Sequence, residues 1–134
     1  MVGGALLLAA PSAALANTSV SDDGCTFSAE PPFYINAGSA LLGVTSFYAY
    51  GDASVSCSGG QSWSARIYLN KWSGAAWYRY GGWEDYSGGG SGGFGIVDVV
   101  PSGYYQTQLA NIYVNGQASA ASLSGASSDG RGTG

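Results

Sequence analysis

The chain contains no histidine, and only 9% of its 134 residues are charged. Without an imidazole it has no Ser-His-Asp triad, no Cys-His dyad and no imidazole metal ligand, each of which needs a base or a neutral nitrogen donor near neutral pH. Basic residues are scarcer than acidic ones: four Lys and Arg stand against eight Asp and Glu, a formal net charge of −4. That sign is wrong for gripping a phosphate backbone, so nucleic acid is not expected as a partner. The two cysteines, Cys25 and Cys57, are too few for a tetrahedral zinc site when no His completes it. No D-x-D-x-D spacing occurs either. Asp22, Asp23, Asp52 and Asp85 therefore read as turn and solubility residues, and neither a metal nor a cofactor is expected.

Paired acids are also missing from the local pattern. Glu84 and Asp85 are neighbours in sequence, so on a strand they point to opposite faces, and Glu30, Asp52 and Asp98 sit in separate segments. A glycosidase needs two carboxyls about 5 to 10 Å apart across a cleft. No catalytic residue is assigned, and the chain is not expected to be an enzyme.

What is present begins with an address. Residues 2–16 read VGGALLLAAPSAALA, an apolar, small-residue stretch ending in Ala14-Leu15-Ala16, the small-x-small pattern of a signal-peptidase site. Cleavage is expected before Asn17. Met1-Val2-Gly3-Gly4 lacks the positive charge of an n-region, so the start reads as either misassigned or truncated. The stretch is shorter than the roughly 20 apolar residues a bilayer span requires. Cys25 follows the polar run Ser21-Asp22-Asp23-Gly24 and is not placed for lipidation, and residues 118–134 form a Ser/Gly/Ala-rich tail without a sorting signal or apolar anchor. The sequence thus predicts a secreted, extracellular product with no membrane anchor. In an oxidising compartment Cys25 and Cys57 are expected to pair, stabilising the fold by roughly 3 to 4 kcal/mol in the chain-entropy model.

Between Cys25 and Tyr113 short alternating or apolar runs are separated by Gly, Ser, Pro and Asn, with no helical periodicity. Strands are predicted at 25–29, 33–36, 40–50, 53–57, 62–72, 76–84, 94–100 and 104–115. Seven or eight short strands in one domain suit an all-β fold, a single antiparallel β-sandwich with one disulfide. The organisation expected is a signal peptide at 1–16, a linker at 17–24, the sandwich at 25–117 and a disordered tail at 118–134. Ser87 to Gly95, with six glycines in nine positions, reads as a flexible loop within the domain, either a mobile rim or plain solvent loop. It lacks the Lys-Ser/Thr and following helix of a phosphate cradle.

Two resemblances accompany this reading. Pro101-Ser102-Gly103-Tyr104-Tyr105 resembles the D-x-G-x-Y-x-C entry to strand F of immunoglobulin-like domains, with Tyr105 at the tyrosine-corner position, although Pro101 stands for the Asp and Thr107 for the Cys. The order Cys25, Pro31-Pro32, Cys57, Leu69-Asn70-Lys71-Trp72-Ser73-Gly74-Ala75-Ala76-Trp77, Gly103-Tyr104-Tyr105 is similar to a loose class of small secreted actinobacterial proteins of unassigned activity. That likeness implies export and a β-sandwich, and transfers no catalytic residue.

All four tryptophans fall between Trp63 and Trp83. A hairpin turning at Ser73-Gly74-Ala75-Ala76 places Trp72 opposite Trp77, Asn70 opposite Arg79, Tyr68 opposite Gly81 and Arg66 opposite Trp83. The alternation of strand side chains then puts Arg66, Tyr68, Asn70, Trp72, Trp77, Arg79 and Trp83 on one face, outward, with Ala65, Ile67 and Leu69 inward. Aromatic rings that stack on sugars or prolines, together with Arg forks and an amide, have the chemistry of a binding platform. The expected function is a non-catalytic module recognising a polysaccharide or surface protein. Two other readings stay open at this point: a secreted interaction factor such as a hydrolase inhibitor or antagonistic effector, and a structural envelope component. The face also has a purely structural reading, in which Trp72 and Trp77 pair across the hairpin and Arg66 covers Trp83. The oligomeric state is not legible.

Overall fold

The computed structural model describes residues 19–36, 46–119 and 127; the predicted signal peptide and most of the tail lie outside them. Nine strands are present among the described residues: β1 (Ser19–Asp22), β2 (Cys25–Ala29), β3 (Phe33–Asn36), β4 (Ser46–Cys57), β5 (Ser62–Trp72), β6 (Trp77–Gly89), β7 (Gly92–Pro101), β8 (Tyr105–Val114) and β9 (Gln117–Ala118). They form two antiparallel sheets. In sheet 1, β4 pairs on one side with β2 and β3 and on the other with β7, while β1 edges β2. In sheet 2 the order is β6-β5-β8-β9.

The break between β2 and β3 follows from Pro31 and Pro32, which have no amide proton to give β4. Glu30 N makes the last bond before them, to Asp52 O at 2.9 Å. Ala29 is paired with Ala53 and Phe33 with Tyr50, so β2 and β3 act as one interrupted strand along β4. The predicted strands at 40–50 and 53–57 are a single one from Ser46; residues 40–45 lie outside the described part. Gly51 and Asp52 do not break it, because both are paired with β7. The linker expected at 17–24 is corrected. Ser19 to Asp22 pair with Ser28 to Cys25, so the sandwich starts earlier than the first cysteine.

The inner faces hold the core. Phe27, Ala49, Ala53, Val55, Phe94, Ile96 and Val100 of sheet 1 meet Trp63, Ala65, Ile67, Leu69, Tyr105, Leu109, Ile112 and Val114 of sheet 2, all buried. The burial alternation of β2 and β5 is what their period-two sequence pattern dictates. Cys25 and Cys57 are directly opposite in the β2–β4 pair and form the disulfide. It staples neighbours within one sheet, a bond that fits an oxidising compartment. Among the described residues no helix is long and apolar enough to cross a membrane.

Tyr105 is fully buried, and its hydroxyl donates to Pro101 O at 2.8 Å. Burial pushes the phenol far above its usual pKa, so it remains a protonated donor. This bond ties the start of β8 to the end of β7, where the chain passes from sheet 1 to sheet 2.

The Gly-rich stretch is not the flexible loop expected. Up to Gly89 it completes β6, from Gly92 it begins β7, and only Gly90 and Ser91 turn between the sheets. Trp63 accounts for part of this: its Nε1 donates to Gly90 O at 2.8 Å, and a side-chain carbon on Gly88 would come within 3.0 Å of its ring. Gly90 N bonds Gln61 O, and Ser91 Oγ accepts from Cys57 N at 3.0 Å. At the other end of the chain, Ser127 bridges to Gln108 along the free edge of β8, so this part of the expected tail is joined to sheet 2.

Candidate functional site

The β5–β6 hairpin turns where expected. Ser73 N donates to Ala76 O at 2.9 Å, and Ser73 Oγ accepts from the amides of Ala75 and Ala76. This local chemistry fixes Trp72 opposite Trp77 and Asn70 opposite Arg79. Below Leu69 and Tyr80 the register departs from the simple hairpin: Gly81 and Gly82 are extra in β6, so Tyr68 faces Trp83, and Arg66 faces Asp85. Tyr68 is therefore not opposite Gly81, nor Arg66 opposite Trp83. An insertion of two residues preserves the alternation, so Arg66, Tyr68, Asn70, Trp72, Trp77, Arg79 and Trp83 still share the outer face. The inner face carries Tyr86, Glu84, Tyr80 and Tyr78 opposite Ala65, Ile67, Leu69 and Lys71.

Within that face the seven residues divide into two groups. At the hairpin tip Trp72 and Trp77 pack edge to face, 5.3 Å between centres and 61° between planes. Both are half-buried, and both Nε1 atoms are shielded without a hydrogen-bond partner among the described residues. They form a cross-strand staple and not a flat platform. Asn70, only 7% exposed, belongs with them: its Nδ2 donates to Gln106 Oε1 at 2.8 Å and Gln108 Oε1 at 3.2 Å. These two glutamines of β8 were missed by sequence reasoning. Their alternation in Gln106-Thr107-Gln108, beside an outward Asn70, is the signal that would have found them.

The accessible part of the face is centred on Trp83, 43% exposed. Arg66 Cζ lies 4.4 Å and Arg79 Cζ 4.7 Å from its ring centre. Arg66 also reaches Asp85 through two bonds, Nε to Oδ1 at 2.8 Å and Nη2 to Oδ2 at 3.1 Å. That fork holds the Asp85 carboxyl below its ordinary range and raises the guanidinium's pKa. Arg79 has no ion pair among the described residues and is exposed. One guanidinium is thus held by an ion pair while the other has none among the described residues, and both lie over the exposed indole.

The carboxylates converge differently from their sequence positions. Glu84 and Asp85 do project to opposite faces. At the open edge between β6 and β7, Glu84, Asp52, Tyr50 and Tyr86 line a cleft of about 340 Å³. Tyr86 donates to Gly95 O, also in its lining, at 2.7 Å. Asp98, on the inner face of β7 beside this edge, has its pKa raised by burial and by the charge of Glu84. Among the described residues no three acid or thiol groups come together as a metal site.

A third cluster was not foreseen. On the outer face of sheet 1, Phe33, Tyr50 and Val97 form one cross-strand row, and Ile35, Tyr48 and Val99 the next. Five of these six are among the exposed large apolar side chains, Val99 at 57% the most open. Their strands read Phe33-Tyr34-Ile35, Phe47-Tyr48-Ala49-Tyr50 and Ile96-Val97-Asp98-Val99-Val100, apolar at nearly every position. Such runs signal two apolar faces in an antiparallel sheet, one of which must face out.

Comparison with protein-family models, with curated protein sequences and with solved structures finds no match for this chain.

Proposed function

We propose that this chain is a secreted, non-catalytic binding domain that recognises an extracellular polysaccharide through the outer face of the β5–β6 hairpin. The reading rests on one observation: Trp83 stands exposed on a rigid sheet with the guanidiniums of Arg66 and Arg79 within 5 Å of its ring. With Arg66 and Arg79 over its ring, the exposed remainder of the indole offers apolar contact to sugar C–H groups, and the planar guanidinium forks donate to ring hydroxyls or carboxylates. Tyr68, opposite Trp83, extends the aromatic surface toward β8. Placement on paired strands means that little order has to be gained on binding. Trp72, Trp77 and Asn70 build the hairpin and position the face. Export accords with the disulfide, with the apolar segment at 2–16 and with the likeness to small secreted actinobacterial proteins.

The test is retention on insoluble chitin, cellulose, peptidoglycan and arabinogalactan. The protein is retained on at least one, and the pair Trp83→Ala with Arg79→Ala weakens retention at least about tenfold, the scale of losing a central aromatic and an Arg contact. Trp72→Phe retains binding. No retention on any of the four polymers, or full retention by the double variant, contradicts the reading and leaves the interaction-factor alternative standing.

A further inference from the structure

On the opposite sheet, independently of that reading, we infer that the patch Phe33, Ile35, Tyr48, Tyr50, Val97 and Val99 is a self-association surface, and that its partner is a second copy of this chain packed sheet on sheet. The six side chains fill two complete rows across β3, β4 and β7 and include no charged group. Along the same face the character changes abruptly. One row beyond Tyr50 comes Asp52, and further rows carry Ser28, Ser54, Thr26 and Ser56. The apolar side chains are thus gathered at one end instead of being scattered singly, the arrangement expected of an interaction site.

Three features select a copy of the chain over a sugar. The first is ring geometry. Phe33 and Tyr50 stack on each other at 4.9 Å and 7°, while Tyr48 is tilted 53° from Tyr50. Ring faces engaged with one another leave edges and ridges that interdigitate with side chains, and offer no coplanar floor for a sugar. The second is shape. The β3 flank carries the bulky Phe33 and Ile35, the β7 flank the smaller Val97 and Val99, with the tyrosines between. A copy turned over about an axis along β4 sets each bulky flank on the other's small flank, a self-complementary two-fold contact. The third is charge. The chain carries −4, and none of the six side chains is charged, so two copies bring no like charges together within the patch itself, the nearest acid on that face being Asp52 one row beyond.

Area sets the strength. The exposed apolar surface is on the order of 400 Å², about half the ~800 Å² per partner of a standard interface. A contact smaller than a standard interface is reversible and concentration-dependent.

Sedimentation equilibrium of the purified protein, from low micromolar to near-millimolar concentration, reads this directly. The weight-average mass rises from monomer to dimer. Val99→Lys, at the most exposed position of the patch, raises the dissociation constant at least about tenfold, as does Ile35→Lys, with thermal unfolding unchanged to show that the fold is intact. Trp83→Ala on the other sheet leaves dimerisation unaffected. Added salt strengthens the dimer by screening the net charge. A monomer at every concentration, a dimer insensitive to both lysines, or a dimer that salt weakens overturns the inference. The second would place the contact on another surface, and the third on an ionic one.

Discussion

Asp98 occupies the space that a side chain on Gly81 would need, across the open edge of the sandwich: a carbon there would come within 2.9 Å of Asp98 Oδ2. Gly81 also has φ +79°, so both its conformation and this approach require glycine at the bulge that shifts the hairpin register. Asp98 Oδ2 is shielded and unpaired among the described residues. Burial, then the charge of Glu84, raises the Asp98 pKa. A carboxyl whose folded pKa exceeds its unfolded value stabilises the native state only when protonated. Its contribution is full below the ordinary carboxylate value and is lost as pH rises through the raised one. Asp98→Asn should therefore raise the unfolding temperature at pH 7 and remove that loss across the mildly acidic range, as followed by thermal melts at a series of pH values. An unchanged pH profile would mean that the carboxyl is solvated.

Gly88→Ala should destabilise by about 1 to 3 kcal/mol, the cost of forcing a methyl into a packed ring, because it must displace Trp63 at 3.0 Å. Gly89→Ala, with nothing within 4 Å, should be close to neutral. Urea unfolding of the two variants compares them. Equal behaviour would restore the flexible-loop expectation for this stretch.

Tyr105→Phe deletes the donor to the half-buried Pro101 O and should cost about 0.5 to 1.5 kcal/mol, the net worth of a typical hydrogen bond. The change is measured by denaturant unfolding at constant slope. The ring itself is kept, so packing against Tyr34 and Tyr80 persists.

Reduction of Cys25–Cys57, or its replacement by two alanines, should lower stability by roughly 3 to 4 kcal/mol, since the bond closes a long loop. Unfolding with and without reductant gives the difference.

The extent to which the sequence disclosed this molecule follows from where one face of a strand differs from the other. β2, β3 and β5 begin and end where alternation and Gly, Pro or Cys punctuation place them. The outward set of the hairpin was readable from the Ser73–Ala76 turn. It survived the two-residue bulge because the alternation has a period of two. What was hidden depends on contacts between distant segments. Glycines at 88–93 read as a loop until Trp63 is seen to press on Gly88 and bond Gly90. Asn70 reads as exposed until it meets Gln106 from β8. The sheet 1 patch stayed hidden because both parities are largely apolar where it lies, over 33–35, 47–50 and 96–100, and only the partner sheet decides which points inward.

The binding account turns on Trp83, and its indole N–H resonance reports on it individually among the four tryptophans. Soluble oligosaccharides from chitin, cellulose, peptidoglycan and arabinogalactan, titrated into the labelled protein and followed by two-dimensional NMR, should shift Trp83 and the Arg79 side chain with saturable dependence. Trp63, bonded to Gly90 O, should stay in place. Titrations that leave Trp83 unmoved, or that move only the Phe33–Tyr48–Tyr50 face, would contradict the assignment.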